Sequence, residues 1–482
     1  MALFDPSHPA RKHRTSKMSH QGLSGDEKPM DPLNDPKKGE KQEDEHPLEV
    51  ATIHQGEAKF SKLSWQHLAL CLIVEAIALG ALSLPSAFAT LGMVAGVILT
   101  VGMGLVAIYT SHVIGQVKLR HPHIEHYADA VRLIWGRFGY ELVGAMFTVY
   151  LTLLVGSHAL TGTIAFVDII SQPGICALVW SVISAIILFA VALPPTFSEF
   201  AWLGYIDFVS IIAAILITII STGVSAGSQP GGMSAVNWSA WPPEDVTFHS
   251  AFVSVTNIVF AYSFAVCQFS FMSEMHRPQD YVKSIWALGL SEIFIYTLTG
   301  ALIYAFVGTD VSSPALLSAG GTVSRIAFGV ALPVIFISGS INGTVVCRYV
   351  VNRIWHNSPI KYTNTFAGWL VWIIVVGICT IIGWVVAEAI PFFNDLLSII
   401  SALFISGFSY YFPALFWFGL VKEGSWRKDA KNICLSIVNA GVFLIGLCVL
   451  GCGTYAAVQD IIDQYDAGVV RTSFSCSSEA YQ

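Results

Sequence analysis

The chain has 482 residues, of which 12% are charged and 54% hydrophobic, with a formal net charge of -7 and a mean hydropathy of +0.64. That composition excludes an ordinary soluble domain, which needs more polar surface to stay in water. The charges form no basic stripe, which argues against a nucleic-acid partner. The nine cysteines make no CxxC pair, which argues against metal or redox chemistry.

Residues 1–62 carry 10 Lys/Arg against 11 Asp/Glu with almost no apolar periodicity, and they read as a disordered cytoplasmic tail with no signal peptide before the first apolar stretch. Lys59 and Lys62 sit where they fix orientation at the membrane. Attachment of ubiquitin to tail lysines, and so a partnership with ubiquitin machinery, is a second use that the spacing does not support. Eleven apolar stretches follow: 65–89, 92–117, 140–170, 175–193, 202–224, 249–273, 281–308, 325–355, 366–390, 392–420 and 432–458. Each approaches or exceeds the roughly 20 residues that cross a hydrocarbon core about 30 Å thick. The chain is therefore read as an all-α integral membrane protein with 11 transmembrane helices over residues 63–458.

Sidedness follows from Lys and Arg. With the N-terminus inside, the inner loops hold Lys118, Arg120, Arg132 and Arg137, then Arg277 and Lys283, then Arg348, Arg353 and Lys361, then Lys422, Arg427, Lys428 and Lys431. The outer side holds only Arg325 and Arg471, as the retention of positive charge on the cytoplasmic face requires. Residues 459–482 then form an extracellular tail. Asn237, in the sequence Asn-Trp-Ser, is a glycosylation acceptor on the outer side.

The first stretch places Glu75, Gly80, Ser83 and Pro85 where a structural span is apolar throughout. Pro85 removes a backbone donor, and glycine costs about 1 kcal/mol relative to alanine in a helix, so the ladder is weakest between them. This predicts an unwound segment at 78–81 that lines an interior site, because unpaired backbone is tolerated at membrane depth only beside protein or a cavity. A kinked helix with no ligand is the alternative.

The run ALGALSLPSAF (78–88) after Glu75, and AYSFAVCQFSFMSEMHRPQDY (261–281) with Glu274, Met275, Pro278 and Tyr281, resemble the first-helix and sixth-helix motifs of the amino acid/auxin permease family, the amino acid transporter transmembrane family. The similarity runs from about residue 60 to about 455 and is nearest to fungal neutral amino-acid permeases. Two positions depart from the pattern: Ala78 stands where a first glycine is frequent, and Val266-Cys267 where Gly-His is frequent. The resemblance implies a five-plus-five inverted repeat, the LeuT-like fold of the APC superfamily, with helices 1 and 6 broken and a central site reached alternately from either side.

On that reading the substrate is a neutral aliphatic or aromatic amino acid. Its carboxylate meets the backbone at Ala78, Leu79, Gly80 and Ala81, and its ammonium meets carbonyls near Ile77 and at Tyr262, Ser263 and Phe264, with Ser83 and Ser263 assisting. Glu75 is the residue assigned to proton coupling, with His158 as a weaker second, because a buried carboxyl binds and releases protons near neutrality. Ser338, Ser340 and Thr344, clustered with Asn342 in the eighth stretch, form the alternative site for sodium; ordinary helix packing is their other reading. Asp168, Asp207 and Glu292 are further ionisable groups at or near membrane depth. No cofactor is expected beyond the coupling ion, and lipid is the other partner.

Two rivals remain at this point. HPHIEHYAD (121–129) imitates a metal site of a membrane enzyme, although the second histidine cluster of such enzymes is missing, so the segment reads as a solvated interfacial loop. A receptor that binds without transporting is the other. The plasma membrane is the expected location, with a vacuolar membrane as the alternative.

Overall fold

A computed structural model describes residues 64–171, 175–195, 203–356, 358–362, 365–467, 474 and 476. It concerns the compact unit over residues 47–482; the tail expected to be disordered lies outside the described residues. The helices are α1 (Trp65–Leu91), α2 (Met93–Arg120), α3 (Tyr127–Ile170), α4 (Ala177–Val191), α5 (Leu203–Ser228), α6a (Phe248–Ala261), α6b (Gln268–Ser273), α7 (Tyr281–Val307), α8 (Gly321–Ile354), α9 (Phe366–Ala389), α10 (Phe393–Val421) and α11 (Ala430–Asp466). Among the described residues eight helical segments are long and apolar enough to cross a bilayer. Shorter apolar segments stand at the first, fourth and sixth stretches, so all eleven stretches are helical while the count of eleven crossings rests on these three.

Starts are set by short polar side chains. Ser64, Thr247, Thr365 and Asp429 each accept a hydrogen bond from a backbone amide three residues on, replacing a partner that a helix N-terminus lacks. α3 begins well before the expected Tyr140. It bends at Gly136, whose φ of 63° is open to glycine.

Packing divides the helices into two groups. α1, α2, α6 and α7 pack on one another, and α3, α4, α8 and α9 do the same, with α5 lying against α8, α7 and α1. α10 and α11 pack together beside α6a. Helices 1–2 and 6–7 thus form one body and helices 3–4 and 8–9 the other, which is the division a five-plus-five repeat produces.

The expected break in the first helix is corrected. α1 runs without interruption from Trp65 to Leu91 despite Pro85. The residues around Gly80 are good helix formers, and Ile77, Ala78, Leu79, Ala81, Leu82 and Ser83 are all buried by neighbours on every side. Ser83 Oγ donates to the Gly80 carbonyl at 3.0 Å, and Ser86 Oγ to that of Ser83 at 2.8 Å, which supplies local donors beside the proline.

The sixth helix does break. α6a stops at Ala261, Tyr262 leaves helical geometry (φ -104°, ψ 40°), a 3-10 turn covers Ser263–Ala265, and α6b restarts at Gln268. α10 carries a second irregularity, a π-helical stretch over Ser401–Tyr411 that packs against this turn.

On the side that the charge count makes external, the Asn237 segment folds over the end of the first group. The Met93 amide donates to the Ser239 carbonyl at 3.0 Å, the Ser239 amide to Tyr304 Oη at 3.0 Å, and the Thr309 amide to the Asn237 carbonyl at 3.1 Å. Cys176, just before α4, forms a disulfide with Cys476 across 300 residues of sequence. This pairing was not anticipated, since scattered cysteines give no sign of partners so far apart. α11 also continues past Val458 to Asp466, into what was expected to be tail.

Candidate functional site

The centre of the site is the contact between α1 and the break in α6. Gly80 lies where α6a ends: a β-carbon placed on it would stand 3.0 Å from Ala261 Cα and 2.9 Å from Tyr296 Oη. Any larger residue would press on the Ala261 main chain and displace the Tyr296 hydroxyl. Tyr296, from α7, donates its hydroxyl to the Ala261 carbonyl at 3.1 Å. That carbonyl closes α6a, so the tyrosine supplies a partner at the point where the ladder stops. Gln268 Nε2 donates to the Ser111 carbonyl at 2.8 Å and ties α6b to α2.

Tyr262 and Phe264 are buried in the break, and Ser263 is half-buried. The Tyr262 ring stands edge-on to Tyr296, with centroids 5.3 Å apart. Its hydroxyl is buried without a hydrogen-bond partner among the described residues, a costly state for a donor unless something else takes it. The α6 residues expected at the site are therefore together and face the expected segment of α1. What differs is α1 itself, whose amides at Ala78, Leu79, Gly80 and Ala81 lie inside a continuous helix.

The remaining expectations fall elsewhere. Glu75 lies within α1, and its side chain is outside the described part. His158 is buried between α3 and α8, bonded to the Ile335 backbone, and uses the space left by Gly339. It joins two helices of the second group and is not part of the α6 break. Ser338, Ser340, Asn342 and Thr344 are all buried. Ser340 Oγ donates to the carbonyls of Phe336 at 2.7 Å and Leu188 at 3.2 Å, while Asn342 Nδ2 donates to that of Ser338 at 3.2 Å. At about 100° per residue the 340/344 pair and the 338/342 pair occupy different faces of α8, so the three proposed sodium ligands do not converge.

Asp207 is fully buried on α5, and neither of its carboxylate oxygens has a hydrogen-bond partner among the described residues. The 121–129 segment is solvated in part: Pro122, His123 and Glu125 are exposed, His126 is half-buried and Ile124 buried, and Asp129 Oδ2 accepts from the His126 amide at 2.9 Å to start α3. Among the described residues no three His, Cys, Asp or Glu side chains are grouped to hold a metal ion.

Comparison with known proteins decides the class. The family described as transmembrane amino acid transporter protein matches residues 61–459. The chain belongs to the transmembrane amino acid transporter family. It is 60% identical over 424 residues to the N amino acid transport system protein of Neurospora crassa, covering 88% of this chain and 90% of that one. A transmembrane transporter of Fusarium pseudograminearum is 30% identical over 431 residues, covering 88% of each chain. Among solved structures, the closed form of the nucleobase-cation-symport-1 transporter Mhp1 with bromovinylhydantoin bound superposes with a TM-score of 0.53 at 12% identity, covering 85% of this chain and 93% of that one. At that identity the likeness speaks for the fold. Membership of the amino acid transporter family makes the chain a multi-pass membrane transport protein and not an enzyme. Tyr296 and Gln268, which brace the break, carry no sequence signal that marks them, because a span tyrosine or glutamine has many ordinary uses.

Proposed function

We propose that this transporter imports neutral aliphatic and aromatic L-amino acids by proton symport, with alternating access around the break in α6. The observation that carries the reading is the interruption of α6 at Ala261 in the buried centre, directly opposite Gly80. An amino acid is a zwitterion. The carbonyl end of α6a suits its ammonium, and the unpartnered Tyr262 hydroxyl suits its carboxylate, assisted by Ser263. Gly80 forms the opposite wall, with Ile77 and Ser83 three residues away on the same face of the continuous helix, while Ala78, Leu79 and Ala81 point to its other sides. Phe260 and Phe264 give the side-chain pocket its apolar lining, which favours neutral substrates.

Glu75 is the proposed proton carrier, and Asp207, buried and without a hydrogen-bond partner among the described residues, is the second position where a proton can sit. Sodium coupling is less favoured because Ser338, Ser340 and Thr344 do not share a face. The proposed location is the plasma membrane with the N-terminus inside. The disulfide supports this orientation, since Cys176 and Cys476 both fall on the side assigned to the exterior, where thiols oxidise.

The test is uptake of labelled leucine and phenylalanine by cells lacking their own carriers, with external pH, sodium and an uncoupler varied in turn. Acid outside should raise uptake and the uncoupler should abolish accumulation, with sodium indifferent. Uptake that ignored pH and uncoupler but required sodium would reject the coupling assigned here.

A further inference from the structure

A set of buried and half-buried charges lies on the face assigned to the cytoplasm, at the end of α6b remote from the break. Glu274, the residue directly after α6b, is 4% exposed and forms an ion pair with Arg348 of α8. It is the acid of the Glu-Met segment singled out in the sequence, for which the transport reading gives no use. His126 places Nδ1 3.1 Å from Ser270 Oγ of α6b, and its ring stands edge-on to Tyr349 of α8 at 5.0 Å. Lys118, near the end of α2, donates to Ser273 Oγ at 2.9 Å, to the Pro122 carbonyl at 3.0 Å and to that of Ile124. A cavity lined by Glu125, His126, Ser270, Ser273, Arg348, Val345 and Asn352 opens beside the pair.

α2 and α6b belong to the first helix group and α8 to the second. The Glu274–Arg348 pair and the contact of His126, at the start of α3, with Ser270 therefore cross the seam that has to widen before a bound molecule can leave on this face, whereas Lys118 holds Ser273 within the first group. We infer that Glu274 and Arg348, with His126 set between Ser270 and Tyr349 on the same two helices, form a latch that holds the cytoplasmic side closed and parts once in each transport cycle. They are positioning residues that set the relation of the two groups and do not touch substrate. The inference rests on the orientation and transport reading proposed above. Removing either charge breaks an ion pair that ties α6b to α8, so each neutralised variant weakens the closed form, and exchanging the two charges restores the pair.

The surroundings of His126 add a pH response. It is faced by Lys118 of α2, by Glu125 and Asp129 beside it in the chain, and by Arg348 and Tyr349 of α8. In the closed form burial holds its pKa down at about 4, with Asp129 opposing and Arg348 and Lys118 adding to the effect. Opening to water returns it toward about 6.5, so the open form binds protons more tightly and acid favours opening as cytosolic pH falls through that range. Between pH 7.5 and 6 the open form gains about fourfold.

The experiment places a cysteine at Val345 (V345C), on the cavity wall, and measures its modification by an impermeant maleimide in inside-out vesicles. E274Q should raise the labelling rate at least about tenfold, and the exchanged pair E274R/R348E should return it to near the parent value. E274Q/R348Q, which removes both charges of the pair, guards against misfolding of the single variant and should also label faster than the parent. Lowering the pH from 7.5 to 6 should raise labelling of the parent about fourfold relative to H126N at the same pH. Labelling unchanged in both neutralised variants, or an exchanged pair no slower than E274Q, would overturn the latch. A rise seen only in right-side-out vesicles would overturn the orientation on which it rests. The labelling needs no substrate, so failure of the transport reading is registered separately by the uptake assay.

Discussion

Replacing Gly80 by valine is expected to reduce amino-acid uptake below about a tenth of the parent rate at equal surface expression, with alanine intermediate, because overpacking a filled contact costs about 1–3 kcal/mol. The effect is tied to particular atoms. The first added carbon meets the Ala261 backbone at 3.0 Å and the Tyr296 hydroxyl at 2.9 Å. A hydroxyl at the end of a side chain can give way, but the Ala261 main chain cannot do so without moving the end of α6a. Moving it breaks the bond from Tyr296 to the Ala261 carbonyl. Tyr296→Phe provides the comparison: it removes the bond while leaving the space, and should lower uptake less than valine does. Uptake by G80V equal to that of the parent would mean that the close approach of α1 to α6a is not used during transport.

Replacing Glu75 by glutamine should abolish concentrative uptake while leaving exchange. With a membrane potential near 100 mV contributing about 2.3 kcal/mol and a gradient of about two pH units contributing about 2.7, one proton drives roughly 5 kcal/mol of accumulation. That is between three and four decades of concentration ratio at about 1.4 kcal/mol per decade. E75Q keeps the shape of the side chain and cannot carry the proton charge. It should equilibrate its substrate to within about tenfold of the outside concentration, while preloaded vesicles continue to exchange labelled for unlabelled amino acid. Asp207→Asn is the companion measurement. If D207N loses accumulation and E75Q retains it, the carrier is the α5 carboxyl; if both retain it, neither acid couples transport to protons.

Much of the architecture was legible because membrane spans obey simple rules of length and charge. Apolar runs near twenty residues located the helices, and the Lys/Arg count sorted the loops into two sets that the Cys176–Cys476 bridge and the Asn237 segment respect. The candidate site was legible in part, and for unequal reasons. The proline and glycine of α1 are strong local disruptors, yet they leave the helix intact, because alanine and leucine neighbours favour it and buried packing closes around it. The break in α6 occurs in Ala-Tyr-Ser-Phe-Ala-Val-Cys, a run with neither glycine nor proline. Its cause is tertiary, since Tyr296 takes the last carbonyl of α6a and Gln268 anchors α6b to Ser111. Only the family motif pointed to it in advance. The split of Ser338, Ser340 and Thr344 over two faces of α8 follows from helical angle and could have been read directly from the spacing. The packing of His126, in contrast, depends on Ser270 and Tyr349, more than a hundred residues away.

The central claim is that the amino acid binds at the break in α6. Ser263 lies within that turn and is half-buried, so cysteine placed there (S263C) tests it directly through its rate of modification by a small thiol reagent with and without leucine. Protection by leucine, half-complete at the concentration that half-saturates uptake and absent with an amino acid that is not transported, is the predicted result. Modification of S263C at one rate whatever the leucine concentration, in protein that still transports leucine, would contradict it.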